Sequence, residues 1–226
     1  MNTQQPLPSS RSTADVVFDQ LFEEIVSLTL LPGAKISEAE VAKRFGVSRQ
    51  PIRDAFRRLG NLNLLSIRPQ RATTVRRFSL AEIENTRFLR LAVELEVIDR
   101  ACKLWGPEHT EALNDSLDQQ KAALASEDTA TFHDLDYGFH RVICEAAGLP
   151  LAFDTIRTCK RHVDRLCLLS LTHDEERDVV LADHLDIAAA LAAHDALRAR
   201  ALVRSHVGRL DPVIADIHAT HQDYFQ

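Results

Sequence analysis

Cysteine is sparse and poorly arranged for chemistry. Cys102, Cys144, Cys159 and Cys167 form no C-x-x-C pair and fall in stretches of helical pattern, which argues against a zinc knuckle or a dithiol redox motif. They read instead as small buried hydrophobes. Long apolar runs are missing too. No stretch approaches the roughly 20 apolar residues needed to cross a bilayer, and the polar start Met1–Arg11 lacks the apolar core of a secretory signal. A cytoplasmic protein that does not enter a membrane is expected. Only 7 glycines and 8 prolines serve 226 residues, and beyond Leu80 turn glycines almost vanish, which excludes a fold of many short strands and tight hairpins there. No internal repeat or low-complexity segment is evident.

What the chain does have is a hydrophobic content of 45%, ample for one large or two modest cores. Its net charge of -6 is unevenly spread. Residues 1–79 hold more Lys and Arg than Asp and Glu, and residues 80–226 hold the reverse. A basic nucleic-acid module joined to an acidic partner domain has that asymmetry.

The stretch Phe45-Gly-Val-Ser-Arg-Gln-Pro-Ile-Arg-Asp-Ala-Phe-Arg-Arg-Leu59 reads as the turn and second helix of a helix-turn-helix. Ser48 is placed to cap the helix, and Pro51 falls in a first turn that tolerates its missing N–H. Ile52, Ala55, Phe56 and Leu59 recur at i, i+3, i+4, i+7 as a buried stripe. Arg49, Arg53 and Arg57 then follow one another at i+4 steps on another face. Such a face suits phosphates and guanine edges in a major groove, although a helix with merely solvated arginines would share the pattern. Just upstream, Ser37-Glu-Ala-Glu40 reads as a capping box for a short helix carrying Val41, Ala42 and Phe45, and Gly46 ends it.

Around this core the chain divides into a disordered tail (1–12), a winged helix-turn-helix domain (13–78) and a helical domain (79–226). Val17, Leu21, Ile25 and Leu28 predict a helix over 14–30. Leu64–Ile67 and Thr73–Val75 predict a hairpin, a wing whose tip bears Arg68 and Arg71 within reach of phosphates. Ser79 with Glu82 predicts a second capping box. Breaks at Gly106-Pro107, Asp128, Gly148-Leu-Pro150, Thr172 and His194-Asp195 then predict six helices, at 80–105, 108–126, 129–147, 150–170, 174–193 and 195–221. The expected class is mainly α, with the winged helix-turn-helix followed by an antiparallel helical bundle.

The run from Leu31 to Leu59 resembles the winged-helix domain of GntR-type bacterial transcription regulators. The resemblance implies DNA contacts by Ser48, Arg49 and Arg53. With neighbouring polar positions the candidate set is Arg44, Ser48, Arg49, Gln50, Arg53, Arg68 and Arg71, facing a double-stranded operator with an inverted repeat read by a homodimer. Asn63 and Ala72 stand where the family commonly has glycine, and asparagine tolerates the left-handed conformation. Gln50 replaces a frequent threonine and could pair with an adenine edge.

All 10 histidines lie beyond residue 100. Asp136 and His140, at i and i+4, make a half-site for a divalent cation on one helical face. The run from His184 to His206 resembles the end of the FCD ligand-binding domain that follows the GntR winged helix in the FadR-like branch. That resemblance implies a metal held by Asp136, His140, His184 and His206. Three imidazoles and a carboxylate suit zinc, nickel or manganese, with positions open to water or a ligand oxygen. His133 is a decoy one turn away, and His162 could line the same cavity. Arg90 matches a pocket-facing arginine of the family, placed to clamp a small carboxylate metabolite; a salt bridge to Glu94 at i+4 would also account for it. The expected function is a metabolite-responsive repressor rather than an enzyme. A metal-ion sensor is the alternative. A metal-dependent hydrolase is a remoter one, since no spare glutamate base accompanies the cluster.

Overall fold

The structure, a computed structural model, describes residues 12–161, 163, 165, 166 and 174–226. Residues 1–11 of the expected tail, His162, Cys167 and the break near Thr172 therefore lie outside the described residues, whereas Ser12, expected in the tail, caps the first helix. The chain forms two compact units, the first ending at Arg77 and the second beginning at Phe78.

In the first unit, helix α1 spans Thr13–Val26, and its N-terminus is closed by a capping box between Ser12 and Asp15. It stops four residues short of the expected end because Leu28 turns left-handed, with φ 57°, ahead of Pro32-Gly33. Strand β1 (Lys35–Ile36), helix α2 (Glu38–Phe45), helix α3 (Arg49–Asn61) and strands β2 (Leu65–Ser66) and β3 (Thr73–Val75) follow. The wing hairpin is accompanied by β1, so the antiparallel sheet has the order β1-β3-β2, with Ile36 opposite Thr73 and Leu65 opposite Val75. The expected stripe of Ile52, Ala55, Phe56 and Leu59 is buried against Val17, Leu21 and Ile25 of α1.

Two expected caps are not made, since neither Ser37 nor Ser48 hydrogen-bonds its helix through the side chain. For Ser48 the reason is Pro51, which occupies the third helical position and has no N–H to give. Left-handed turns fall on Gly46, Asn63 and Gln70. Gln70 therefore takes the strained position at the wing tip, and Ala72 needs no glycine-like freedom.

In the second unit, helix α4 spans Leu80–Leu104, α5 Pro107–Ala125, α6 Thr129–Ala146, α7 Pro150–Arg161, α8 Asp174–Ala192, α9 Ala196–Gly208 and α10 Leu210–Thr220. Helix α4 packs on α7 and α9, α5 on α6 and α8, and α8 on α9. Ser79, Asp128 and Asp195 cap α4, α6 and α9 through their side chains. Glu127 and His194 adopt positive φ at the expected breaks, which is how this unit turns with so little glycine.

The single expected helix 195–221 is two. Pro212 cannot donate to the carbonyl of Gly208 and its ring crowds that group, so the helix breaks at Gly208–Arg209. A short 3-10 turn (Gln222–Tyr224) ends the unit. There Phe78 N–H donates to Tyr224 O (2.8 Å) and Gln226 N–H to Phe78 O (2.9 Å), while the Phe78 and Phe225 rings meet at 5.4 Å.

Candidate metal centre and nucleic-acid interface

Burial of Ile52, Ala55, Phe56 and Leu59 leaves the opposite side of α3 facing outward. Ser48, Arg49, Gln50, Arg53 and Arg57 are all exposed there, as is Arg44 at the end of α2. Several are lightly tethered to carboxylates: Arg53 to Glu38 at 3.1 Å, Arg44 to Glu24 at 3.0 Å, and Gln50 to Asp54 at 3.3 Å. Exposed pairs of this kind contribute little and exchange readily for phosphate. Arg68 and Arg71 are exposed on the turn between β2 and β3.

The second constellation lies inside the helical unit. Asp136 and His140 project from successive turns of α6, His184 from α8 and His206 from α9. All four are buried, and one potential ligand atom from each lies within 4.8 Å of all the others. His184 Nε2 is 3.4 Å from Asp136 Oδ1, and His140 Nε2 is 3.9 Å from the same oxygen. Atoms bound to one ion at about 2.1 Å can stand at most about 4.2 Å apart. The set is thus a few tenths of an ångström from closing on a metal.

The far nitrogens decide the tautomers. His184 Nδ1 lies 2.7 Å from Gln120 Oε1, His140 Nδ1 lies 3.2 Å from Glu94 Oε2, and His206 Nδ1 lies 3.3 Å from Asp183 Oδ2. Each of these oxygens is an acceptor, so each Nδ1 carries the proton and each Nε2 keeps a lone pair. The Gln120 amide is oriented by its NH2, which reaches Leu135 O. His184 Nε2 is fully buried with no hydrogen bond of its own. A metal is the partner such a nitrogen lacks, and on this test the donor set fits one.

Burial pushes the His184 imidazole down to about 4, more than the nearby Asp136 carboxylate restores, and burial lowers His206 as well. Both are neutral near pH 7, the state that can ligate. Burial pushes the Asp136 carboxyl up, but the Lys160 ammonium beside it outweighs that and holds it well below the carboxylate range. Burial likewise opposes ionisation of Glu94, and the Arg90 guanidinium outweighs it, so Glu94 stays ionised.

The two readings of Arg90 coexist. Its Nε donates to Glu94 Oε1 at 2.6 Å, while its Nη2 reaches His140 Nε2 at 3.1 Å. Arg90 also lines a cleft with His133, Asp136, Lys160, His206 and Arg209. His133 meets the edge of Tyr137 and stays outside the four-residue cluster. Cys102, Cys144 and Cys159 are free and buried, with no part in it.

Sequence reasoning missed Gln120, Asp183 and Lys160. Each sits on a different helix from the side chain it serves, and no spacing within one helix announces such a contact.

A basic winged helix followed by a helical unit is the build of a transcription regulator. The chain belongs to the GntR family: residues 13–75 match the bacterial regulatory proteins of the gntR family, and residues 86–209 match the FCD domain. It is thus a DNA-binding transcription regulator and not an enzyme. The HTH-type transcriptional repressor RspR of Escherichia coli K12 is 32% identical over 225 residues, spanning 100% of this chain and 99% of that protein. An HTH-type transcriptional regulator of Streptomyces ambofaciens is 30% identical over 217 residues, spanning 96% and 91%. Among solved structures, E. coli McbR/YncC shares the fold with a TM-score of 0.68 at 20% identity, covering 92% of this chain and 100% of that one.

Proposed function

We propose that this regulator is a repressor whose grip on its operator is controlled by a small carboxylate metabolite bound at a divalent metal in the helical unit. In this reading residues 13–78 bind DNA and residues 79–226 sense. Asp136, His140, His184 and His206 hold the ion, which is zinc, nickel or manganese, and Arg90 receives the carboxylate. The observation that carries the reading is the set of three imidazoles, each fixed by an acceptor at Nδ1 so that Nε2 faces one carboxylate. A structural core has no need of that arrangement, and it leaves polar atoms buried at a cost only a ligand repays.

Arg44, Ser48, Arg49, Gln50, Arg53, Arg68 and Arg71 supply the DNA contacts. One recognition helix reads too few base pairs for specificity, so a homodimer on an inverted repeat is the working form. Phe88 on α4 and Leu151 on α7 are 70% and 80% exposed, and apolar surface of this kind on the helical unit supports a second copy against it. The relative named a repressor supports the sign of regulation, and the site of action is the cytoplasm.

Elemental analysis tests the centre. Wild type and His133→Ala should each carry about one divalent ion per chain, and His184→Ala and His206→Ala much less. Equal metal in all four proteins rejects the cluster. Release of operator by a carboxylate after complete metal removal rejects metal-borne sensing.

A further inference from the structure

Helix α3 carries four arginines and a single acid, Asp54. The acid is half-buried at the edge of the outward face, where a negative charge repels the phosphates that the arginines attract. Both of its oxygens are engaged. Gln50 Nε2 donates to Oδ2 at 3.3 Å from one turn before, and Arg57 Nη2 stands 3.4 Å from Oδ1 one turn after. Held from both sides, the carboxylate keeps Oδ2 turned towards Gln50.

A primary amide has two N–H donors and one carbonyl acceptor. Left to itself, Gln50 can give both hydrogens to guanine, whose major-groove edge offers only the acceptors N7 and O6. It can equally pair one hydrogen and its carbonyl with adenine, which offers N7 as acceptor and N6–H as donor. Asp54 takes one of the two hydrogens. The remaining N–H and C=O match adenine, whereas against guanine Oε1 would meet O6, two lone pairs with no hydrogen between them. A base edge shuts out water, so an acceptor left facing an acceptor there is costly. Giving both hydrogens to guanine would instead strip the half-buried carboxylate of one of its two donors beside the phosphates.

We propose that Asp54 determines specificity: by occupying one hydrogen of the Gln50 amide, it makes Gln50 a reader of adenine that rejects guanine. Asp54 itself touches no base and acts as a positioning residue. This role rests on the function proposed above, in which Gln50 is one of the DNA contacts.

For the test, the full-length protein selects its operator from random duplexes, and affinities are then measured for duplexes altered at one base pair at a time. Gln50→Ala marks the pair that Gln50 reads, as the one where preference is lost. There the wild type should favour adenine over guanine by about tenfold or more. Asp54→Ala, a substitution that suits a helix, should bind every duplex somewhat more tightly because a negative charge is gone, yet its preference for adenine should shrink to about threefold or less. A residue that only stabilised the helix or repelled phosphate would move all duplexes alike and leave that ratio as it was. Asp54→Glu should restore the ratio, since a glutamate elsewhere in this chain accepts from the glutamine one turn before it, Gln20 Nε2 to Glu24 Oε1 at 3.1 Å. A wild-type ratio in Asp54→Ala, or a base other than adenine at the marked pair, overturns the role of Asp54 and leaves Gln50 a DNA contact. If Gln50→Ala alters preference at no pair, Gln50 is not a reader, and the role of Asp54 falls with it.

Discussion

Nδ1 of His184 lies 2.7 Å from Oε1 of Gln120, and both side chains are wholly buried. The amide fixes which nitrogen of His184 faces Asp136, while the Phe139 ring stacks on the imidazole with centroids 3.9 Å apart and fixes its plane.

That pairing predicts a loss of metal without loss of a ligand. Gln120→Leu keeps the volume but removes the acceptor, so His184 can place its proton on either nitrogen. Metal affinity should fall by about 10–100-fold, the usual effect of losing such a partner, while operator binding by the metal-free protein stays unchanged. Equal metal affinity in a competition titration would show that Gln120 is only filling space.

On the outward face of α3, Arg49→Ala and Arg53→Ala should each weaken operator binding by about 1–3 kcal/mol where the arginine reads a base. Glu38→Gln should leave affinity unchanged or tighten it. It frees Arg53 from a surface pair worth at most about 1 kcal/mol and removes a negative charge beside the DNA. Fluorescence anisotropy at two salt concentrations reads all three. Full affinity in both arginine variants would reject this helix as the reader.

Burial, helped by Glu94 and Glu145, pushes the Cys144 thiol up to about 12 from an ordinary 9.0. A raised pKa in the fold means that the unfolded chain gives up the proton first. Below pH 9 the contribution of the thiol to stability is fully present, and it is lost as pH rises from 9 towards 12. Native protein at pH 8 should therefore resist alkylation at Cys144, and its denaturation midpoint should fall once pH exceeds 9. Peptide mapping after iodoacetamide is the check, and labelling of Cys144 at the rate of a free thiol would contradict it.

The stripe of Ile52, Ala55, Phe56 and Leu59 was legible because helical periodicity is a local property, and so was the pairing of Asp136 with His140 one turn apart. His184 and His206 came from family likeness alone, since nothing between residues 140 and 184 states that α6 and α8 meet. The partners Gln120 and Asp183 were out of reach for the same reason: packing between helices brings them to the histidines. Other misses were local. Pro51 at the third helical position disarms the Ser48 cap, and Pro212 breaks the last helix at Gly208, both by want of an N–H. Strand β1 has two residues, too few for any alternation to register.

The seam between Phe78 and the Tyr224–Gln226 segment ties the first residue of the helical unit to its last. On a ribosome this has a consequence in time. Helix α4 is made early, yet the pairing at its root waits until nearly the whole unit has emerged. The contact spans the longest loop the unit can close, so its entropy is paid last and it adds little to the earliest stages of collapse. A nascent chain paused after α9 can have α4, α6 and α8 gathered around the histidines while Phe78 still lacks its partner strand, leaving an apolar ring exposed for chaperones to hold.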